Sequence, residues 1–379
     1  MRKVRLLTIS PTCEIGGGDI NLLRILRSLD KNEYSIIHLF PYAGPMTEEF
    51  KKAGIEVKIV DMPRMRIFKN PFRYLIFAFV FLPTVFTIKK IIQDNEIDIV
   101  CTSTMANLYG CLAAYLSKKP HILIAGEYLP IFRILSVYFY LLSDSIVCCS
   151  SLVKSMFKKN KKVLVIPPSI DPEEFSPEIN GERIKKELGI NGNLISMVTR
   201  IDKWKGVEVF IKAASYVKKE VRFIIFGQAI RGKESYIEKL ERLILRLGLK
   251  ETVSIKVGEY NYDETPQILA ASDVVVHASV RHEPFGMVII EAMAVAKPVI
   301  ASKLGGPLEI INDGVDGMLI EPSNPRVLAD KILMLLENPV FAKSMGKKAR
   351  EKVEEKFNLR ECAKKYDALF KTCFLKKAS

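Results

Sequence analysis

Short apolar runs recur along the chain, and between them the apolar positions repeat at helical spacing. The first run, Val4 to Ser10, ends at Pro11; Gly16, Gly17 and Gly18 follow, and Ile20 to Leu29 then repeats every three or four residues. This order predicts strand, glycine loop, helix. Further strands are predicted near 35–40, 57–61, 98–103, 121–127, 144–150 and 163–167, with helical patterns between most of them. Repeated βα units of this kind imply a mostly parallel sheet with helices on both faces.

Proline then interrupts the pattern. Pro167, Pro168, Pro172 and Pro177 form the densest cluster in the chain and bar a continuous helix or central strand. The alternation restarts beyond it, with strands predicted near 194–199, 222–227, 252–258, 274–279 and 298–302. A last strand, Gly317 to Glu321, precedes three helical patterns. With 379 residues the chain exceeds the size at which one core stops growing. The expected fold class is α/β, with two Rossmann-like domains facing a cleft. The first spans 1–170 and is rejoined by a C-terminal helix near 358–376; the second spans 171–357.

Tyr74 to Ile88 is uncharged throughout, yet it is shorter than the roughly 20 apolar residues of a membrane-spanning helix and carries Pro83. It either packs on the sheet or lies on a bilayer surface, with Arg64, Arg66, Lys69 and Arg73 beside it. Charge is uneven as well. Up to Ser169 there are 23 Lys and Arg against 13 Asp and Glu, a balance of +10 out of a net +14. Such an excess suits an anionic partner: nucleic acid, a phosphorylated substrate or an anionic membrane face. Seven cysteines without a C-x-x-C spacing argue for a reducing compartment and against a structural zinc site. The apolar run before Pro11 is too short for a secretory signal, so a cytoplasmic location is expected.

Chemistry concentrates between residues 279 and 309. An apolar strand, Val274 to His277, runs into a polar turn with Glu283; Gly286 opens an apolar helix carrying Glu291, and a second strand, Pro298 to Ser302, leads to Gly305 and Gly306. In open α/β sheets ligands bind where strands deliver their C-terminal ends, and a helix start offers free N–H groups to an anion. Glu291 sits among Val288, Ile289, Ile290, Ala292 and Met293, and a charge in that run needs a partner. Upstream, the strand near 194–199 ends in Arg200 and Lys205-Gly206, two cations suited to phosphate oxygens.

Glu283-Pro284-Phe285-Gly286 with Glu291 eight residues on resembles the E-x7-E motif of the retaining glycosyltransferases of family 4, which have the two-domain glycosyltransferase-B fold. Arg200 with Lys205 matches that family's basic pair. Gly16-Gly17, Ser150, Ile170-Asp171, Phe175, Gly227, Ala271-Ser272-Asp273, Ser279, Gly305-Gly306 and Glu309 extend the resemblance over almost the whole chain, specifically in its second half and generically in its first. Members of this kind include bacterial and archaeal enzymes of polysaccharide and glycolipid synthesis.

The resemblance implies transfer of a sugar from a UDP- or GDP-sugar to a glycan or glycolipid acceptor, with no metal and no cofactor beyond the nucleotide sugar. Glu291 would accept from the ribose hydroxyls and Glu283 from the transferred sugar. Arg200 and Lys205 would neutralise the leaving diphosphate, with N–H groups of Gly286, Met287, Val288 and Gly17 assisting. Nucleic acid is then not an expected partner, whereas peripheral contact with the inner face of an anionic membrane is. The sequence departs from the family where a His-acid pair is usual: here stand Gly126 and Glu127, so Glu127 and His282 are the acceptor-side candidates. His38, His121 and His277 read as core residues.

Three alternative functions fit the sequence less well. A nicotinamide-dependent oxidoreductase lacks its G-x-G-x-x-G pattern and an acidic residue near 38–40. A nonenzymatic glycan- or nucleotide-binding relative has no need of a diphosphate clamp. The third is a phosphorylase or sugar epimerase of the same fold; a phosphorylase would need a pyridoxal-bearing lysine, and the sequence nominates none.

Overall fold

The computed structural model describes residues 2–63, 72–128, 133–158, 161–228 and 234–378. The chain packs as two units, Met1–Pro168 with Leu359–Ser379, and Ser169–Asn358. The division falls two residues before the expected boundary. Ile170 N donates to Phe357 O at 2.8 Å and Ile170 bridges Asn358, which ties the linker to the second unit.

In the first unit, strands β1 (Val4–Ile9), β2 (Tyr34–Phe40), β3 (Glu56–Ile59), β4 (Ile99–Ser103), β5 (His121–Ala125), β6 (Ser145–Cys148) and β7 (Val163–Val165) form one parallel sheet, ordered β3-β2-β1-β4-β5-β6-β7. The connecting helices are α1 (Gly17–Arg27), α2 (Pro45–Lys52), α3 (Phe72–Asp94), α4 (Tyr109–Leu116), α5 (Arg133–Leu142) and α6 (Ser151–Lys154). The central strands are buried on both faces, which is why they read as largely apolar runs. Ser150 caps α6, accepting from Val153 N at 3.2 Å.

The apolar run at Tyr74 belongs to α3, with Pro83 inside the helix. Val85, Ile88 and Ile92 are buried against the sheet, while Phe79, Leu82 and Phe86 are exposed, Phe79 at 86%. One stripe packs on the sheet, as the first reading expects, and another faces outward. Arg64, Arg66 and Lys69 lie outside the described residues. Among the described residues no helix is long and apolar enough to cross a membrane.

The second unit contains α7 (Glu182–Glu187), β8 (Asn193–Val198), α8 (Val207–Ala214), β9 (Val221–Gly227), α9 (Glu234–Arg246), β10 (Val253–Val257), α10 (Thr265–Ala271) and β11 (Val274–His277). It continues through α11 (Met287–Ala294), β12 (Val299–Ser302), α12 (Pro307–Ile310), β13 (Met318–Ile320), α13 (Pro325–Glu337) and α14 (Pro339–Lys356). Its parallel sheet runs β10-β9-β8-β11-β12-β13. The last helix, α15 (Leu359–Ala378), belongs to the first unit: Tyr34 Oη donates to Asp367 at 2.6 Å, and Lys371 pairs with Glu33 at 2.7 Å.

Each sheet has one place where consecutive strands stop neighbouring each other. In the second unit this switch lies between β8 and β11, so the loops after these two strands diverge and leave room for a ligand. Arg200 and Lys205 follow β8, and Ser279 and Glu283 follow β11. The topology therefore delivers the predicted donor-side residues to one sheet edge.

Candidate active site

After β8 the chain makes a short 3₁₀ turn, Lys203–Lys205, started by Asp202, whose carboxylate accepts from Lys203 N at 2.7 Å. Gly206 ends the turn at φ 73°, a left-handed conformation that a side chain strains. A Cβ there would also strike the Ala278 carbonyl. This glycine lets the basic turn lie directly on the chain leaving β11, where Val280 N donates to Trp204 O at 2.8 Å.

Lys205 is thereby brought to Glu283, 78 positions away in sequence, with Nζ 2.6 Å from Oε2. The pair is largely withdrawn from water, the side chains being 13% and 9% exposed. Ser279 Oγ donates to the same Oε2 at 3.0 Å, and His277 Nε2 lies 3.1 Å from it. Burial opposes the charged carboxylate, but the Lys205 ammonium outweighs it and holds Glu283 well below the usual carboxylate range. Three groups thus crowd one oxygen of Glu283. The Glu283 backbone is fixed as well, since Gly306 N donates to its carbonyl at 2.7 Å, using the glycine pair after β12.

Lys205 Nζ also stands 4.1 Å from the centre of the Trp204 ring, a cation–π contact with the chain's single tryptophan. Arg200 is exposed, and among the described residues its guanidinium makes no hydrogen bond or ion pair. The two predicted cations therefore differ in state: one is engaged with an internal carboxylate and the other is open to solvent.

Three residues after Glu283, Gly286 opens α11 at φ 110°. Gly286, Met287 and Val288 stand at the start of this helix, where the first N–H groups have no intrahelical acceptor and the dipole favours an anion. Glu291 sits in the second turn, only 4% exposed, and its charge has a partner: Tyr262 Oη donates to Oε1 at 2.8 Å. His282 is exposed beside the site. Tyr262 and His277 are the residues that the sequence did not assign. Tyr262 lies 29 positions before Glu291 with no local signal. His277 did carry one, because it stands two residues before Ser279, and side chains two apart along an extended strand share a face.

The first unit holds the remaining candidates. Gly17 begins α1 after an N-cap at Gly16, and Ser10 Oγ donates to the buried Asp19 carboxylate at 2.8 Å, fixing the glycine loop to the end of β1. Glu127, just past β5, accepts from Met105 N at 3.3 Å. That contact props the loop after β4, whose first residue, Thr104, is held at φ 70°. A β-branched residue in this region is strained, and such strain collects at functional loops. This loop stands at the first sheet's own switch point, beside β1.

Two family models divide the chain between them: Glycosyltransferase Family 4 matches residues 15–174, and Glycosyl transferases group 1 matches 179–352. An uncharacterised glycosyltransferase of Methanocaldococcus jannaschii is 30% identical over 358 residues, covering 92% of each chain. The chain belongs to the family-4-like glycosyltransferases. Among solved structures, Anabaena HepE in complex with UDP and glucose superposes with a TM-score of 0.86 at 23% identity, over 97% of this chain and 99% of that one. A glycosyltransferase from Rickettsia africae gives 0.84 at 25% identity, over 98% and 99%. Two parallel-sheet units and these neighbours make the glycosyltransferase a member of the glycosyltransferase-B fold, as its motifs led one to expect. The E-x7-E carboxylates of this glycosyltransferase occupy the turn and helix at the β8/β11 switch.

Proposed function

We propose that this glycosyltransferase moves a sugar, with retention of configuration, from a nucleotide diphosphate sugar to a hydroxyl of a lipid-linked glycan or growing polysaccharide. The observation that carries the proposal is the Lys205–Glu283 ion pair beside the α11 N-terminus. It sets a phosphate-binding cation and a sugar-binding carboxylate side by side, as departure of a diphosphate from a sugar requires. Lys205 and the exposed Arg200 neutralise the leaving group electrostatically. The N–H groups of Gly286, Met287 and Val288 bind the same diphosphate, Glu291 receives the ribose hydroxyls, and Glu283 receives the transferred sugar. Two side-chain cations supply the charge that a divalent metal would otherwise bring. Gly17 is assigned to the donor phosphate, and Glu127 and His282 to the acceptor.

The acceptor's lipid character rests on the outward stripe of α3, where Phe79, Leu82 and Phe86 are exposed, and on Val137 and Leu141, exposed one turn apart on α5. Lone exposed apolar residues are ordinary, but repeated stripes mark interaction surfaces. With the first unit's basic excess they suit the anionic cytoplasmic face of a membrane.

Calorimetry with UDP, GDP and ADP, followed by NMR of the products of donor hydrolysis, tests the core of the proposal. One nucleotide diphosphate binds, and its sugar is released first as the anomer present in the donor. Binding of none, or release of the inverted anomer, overturns it. Flotation with anionic liposomes tests the membrane assignment, which fails if the protein stays unbound or if Phe79→Asp with Phe86→Asp floats as well as the parent.

A further inference from the structure

Three of the four histidines are buried, and they differ in how their ring nitrogens are satisfied. His121 uses both, at 2.6 Å from Thr102 Oγ1 and 2.9 Å from Ser143 Oγ. His38 uses one, at 2.7 Å from Thr8 Oγ1. His277 is 4% exposed, and neither of its nitrogens completes a hydrogen bond. Its Nε2 is nonetheless 3.1 Å from Glu283 Oε2, close enough to bond but out of line for it. Packing alone does not account for an imidazole here, because an apolar side chain would fill the same volume without stranding two buried polar atoms.

The misalignment has a plain cause in the occupancy of Oε2. Lys205 and Ser279 already hold that oxygen at 2.6 and 3.0 Å. An acceptor with about two lone pairs has no good third direction to offer. If Lys205 turns to a diphosphate, Oε2 loses its strongest partner while Glu283 remains buried and charged. A carboxylate stranded in that way either takes up a proton or rotates off the sugar. His277 is the group placed to prevent both.

We infer that His277 is a positioning residue that takes over Glu283 in the donor complex, its Nε2–H donating to Oε2 as Lys205 leaves. The exchange keeps Oε2 occupied by His277 and Ser279, so that Oε1 stays turned toward the hydroxyls of the transferred sugar. Lys205 is thereby shared between two states: bound to Glu283 when the site is empty and to phosphate when it is filled. This inference rests on the proposed assignment of Lys205 to the diphosphate and of Glu283 to the sugar.

The test compares His277→Asn, His277→Gln and His277→Leu. A glutamine amide reaches the position of Nε2, whereas an asparagine amide reaches only that of Nδ1. The probes are whichever nucleotide diphosphate and matching nucleotide sugar the parent binds from UDP with UDP-glucose and GDP with GDP-mannose. Affinity for the bare nucleotide diphosphate should stay within about twofold in all three variants. In H277N and H277L the extra affinity of the sugar nucleotide and the kcat for donor turnover should fall on the order of 10- to 100-fold, the loss of one bond to a buried charge. H277Q should recover most of both. Parallel loss of nucleotide and sugar-nucleotide binding, an undiminished kcat in H277N, or no rescue by glutamine each overturns the inference. H277N retains polarity and keeps the test readable if H277L folds poorly. Should the parent protein bind no nucleotide diphosphate, the proposed function fails rather than the role of His277.

Discussion

The Lys205→Met substitution separates what the ion pair does for the fold from what it does for the reaction. Methionine keeps the apolar stem over Trp204 and removes only the charge. It leaves Glu283 buried opposite nothing cationic that is always charged, at a site where the Lys205 ammonium had been 2.6 Å away. Removing one member of a buried pair costs about 3 to 5 kcal/mol. Ser279 and His277 remain near Oε2, so the lower end, about 3 kcal/mol, is expected at pH 7.

The pH dependence fixes the cause. In the parent protein Glu283 is held below its unfolded value, so its contribution is present above the ordinary carboxylate pKa and is lost as pH falls through the folded one. In K205M burial acts without the cation and raises the folded pKa above the unfolded one. The destabilisation should then grow with pH throughout, from acid pH where Glu283 ionises in the parent but not in the variant, and be largest near neutrality; it vanishes only at pH low enough to protonate Glu283 in the parent too. Trp204 is the only tryptophan and lies in the second unit. Its emission in urea therefore follows the unit that carries the change, even if the two units unfold separately. Adding Glu283→Gln to K205M should restore most of the lost stability, while turnover stays on the order of 100- to 1,000-fold below the parent. A loss under about 1 kcal/mol at pH 7, a loss that does not vary with pH, or a double variant no more stable than K205M would refute the reasoning.

Arg200→Ala should leave stability within about 0.5 kcal/mol of the parent, since the side chain is exposed. It should weaken nucleotide diphosphate binding measurably at low salt, with the difference shrinking as ionic strength rises; calorimetry at two salt concentrations checks both points. Because Lys205 Nζ lies 4.1 Å from the Trp204 ring, titrating the bound nucleotide should change tryptophan emission in the parent protein and leave it nearly unchanged in K205M. In the first unit, burial lowers His38 and His121 from 6.5 to about 3. A base depressed in this way gives stability that is complete above about pH 6.5 and lost as pH falls toward the folded value. From pH 6.5 to 5 the two together should cost roughly 3 kcal/mol, read by circular dichroism in urea, and a pH-independent midpoint over that range would contradict it.

The fold was legible because buried parallel strands announce themselves. Val274–His277 and Ile99–Ser103 are covered on both faces, so they are mostly apolar, and turn residues bound them. The ends of α3 were less legible, because Tyr74 to Ile88 is apolar all round and periodicity cannot say which stripe faces the sheet. In the site, the spacing of Glu283, Gly286 and Glu291 is local, and the motif revealed it. Contacts across the switch are not local. Nothing near Lys205 in sequence says that its partner is Glu283; that follows from β8 and β11 being neighbours in space and from Gly206 admitting the turn onto Ala278.

This difference also explains why His277 reads as core from sequence and as something more in the structure. Burial is a property of one residue and its flanks, and the apolar run predicts it correctly. A missing hydrogen bond is a property of a neighbourhood, visible only once Lys205, Ser279 and Glu283 are seen to converge on one oxygen. A carboxylate meant only to stabilise the empty fold would be best served by partners on both oxygens. Glu283 instead has three neighbours crowded on Oε2. That asymmetry makes sense if Oε1 is kept for a hydroxyl that arrives with the donor and if one of the three neighbours is due to leave when it does.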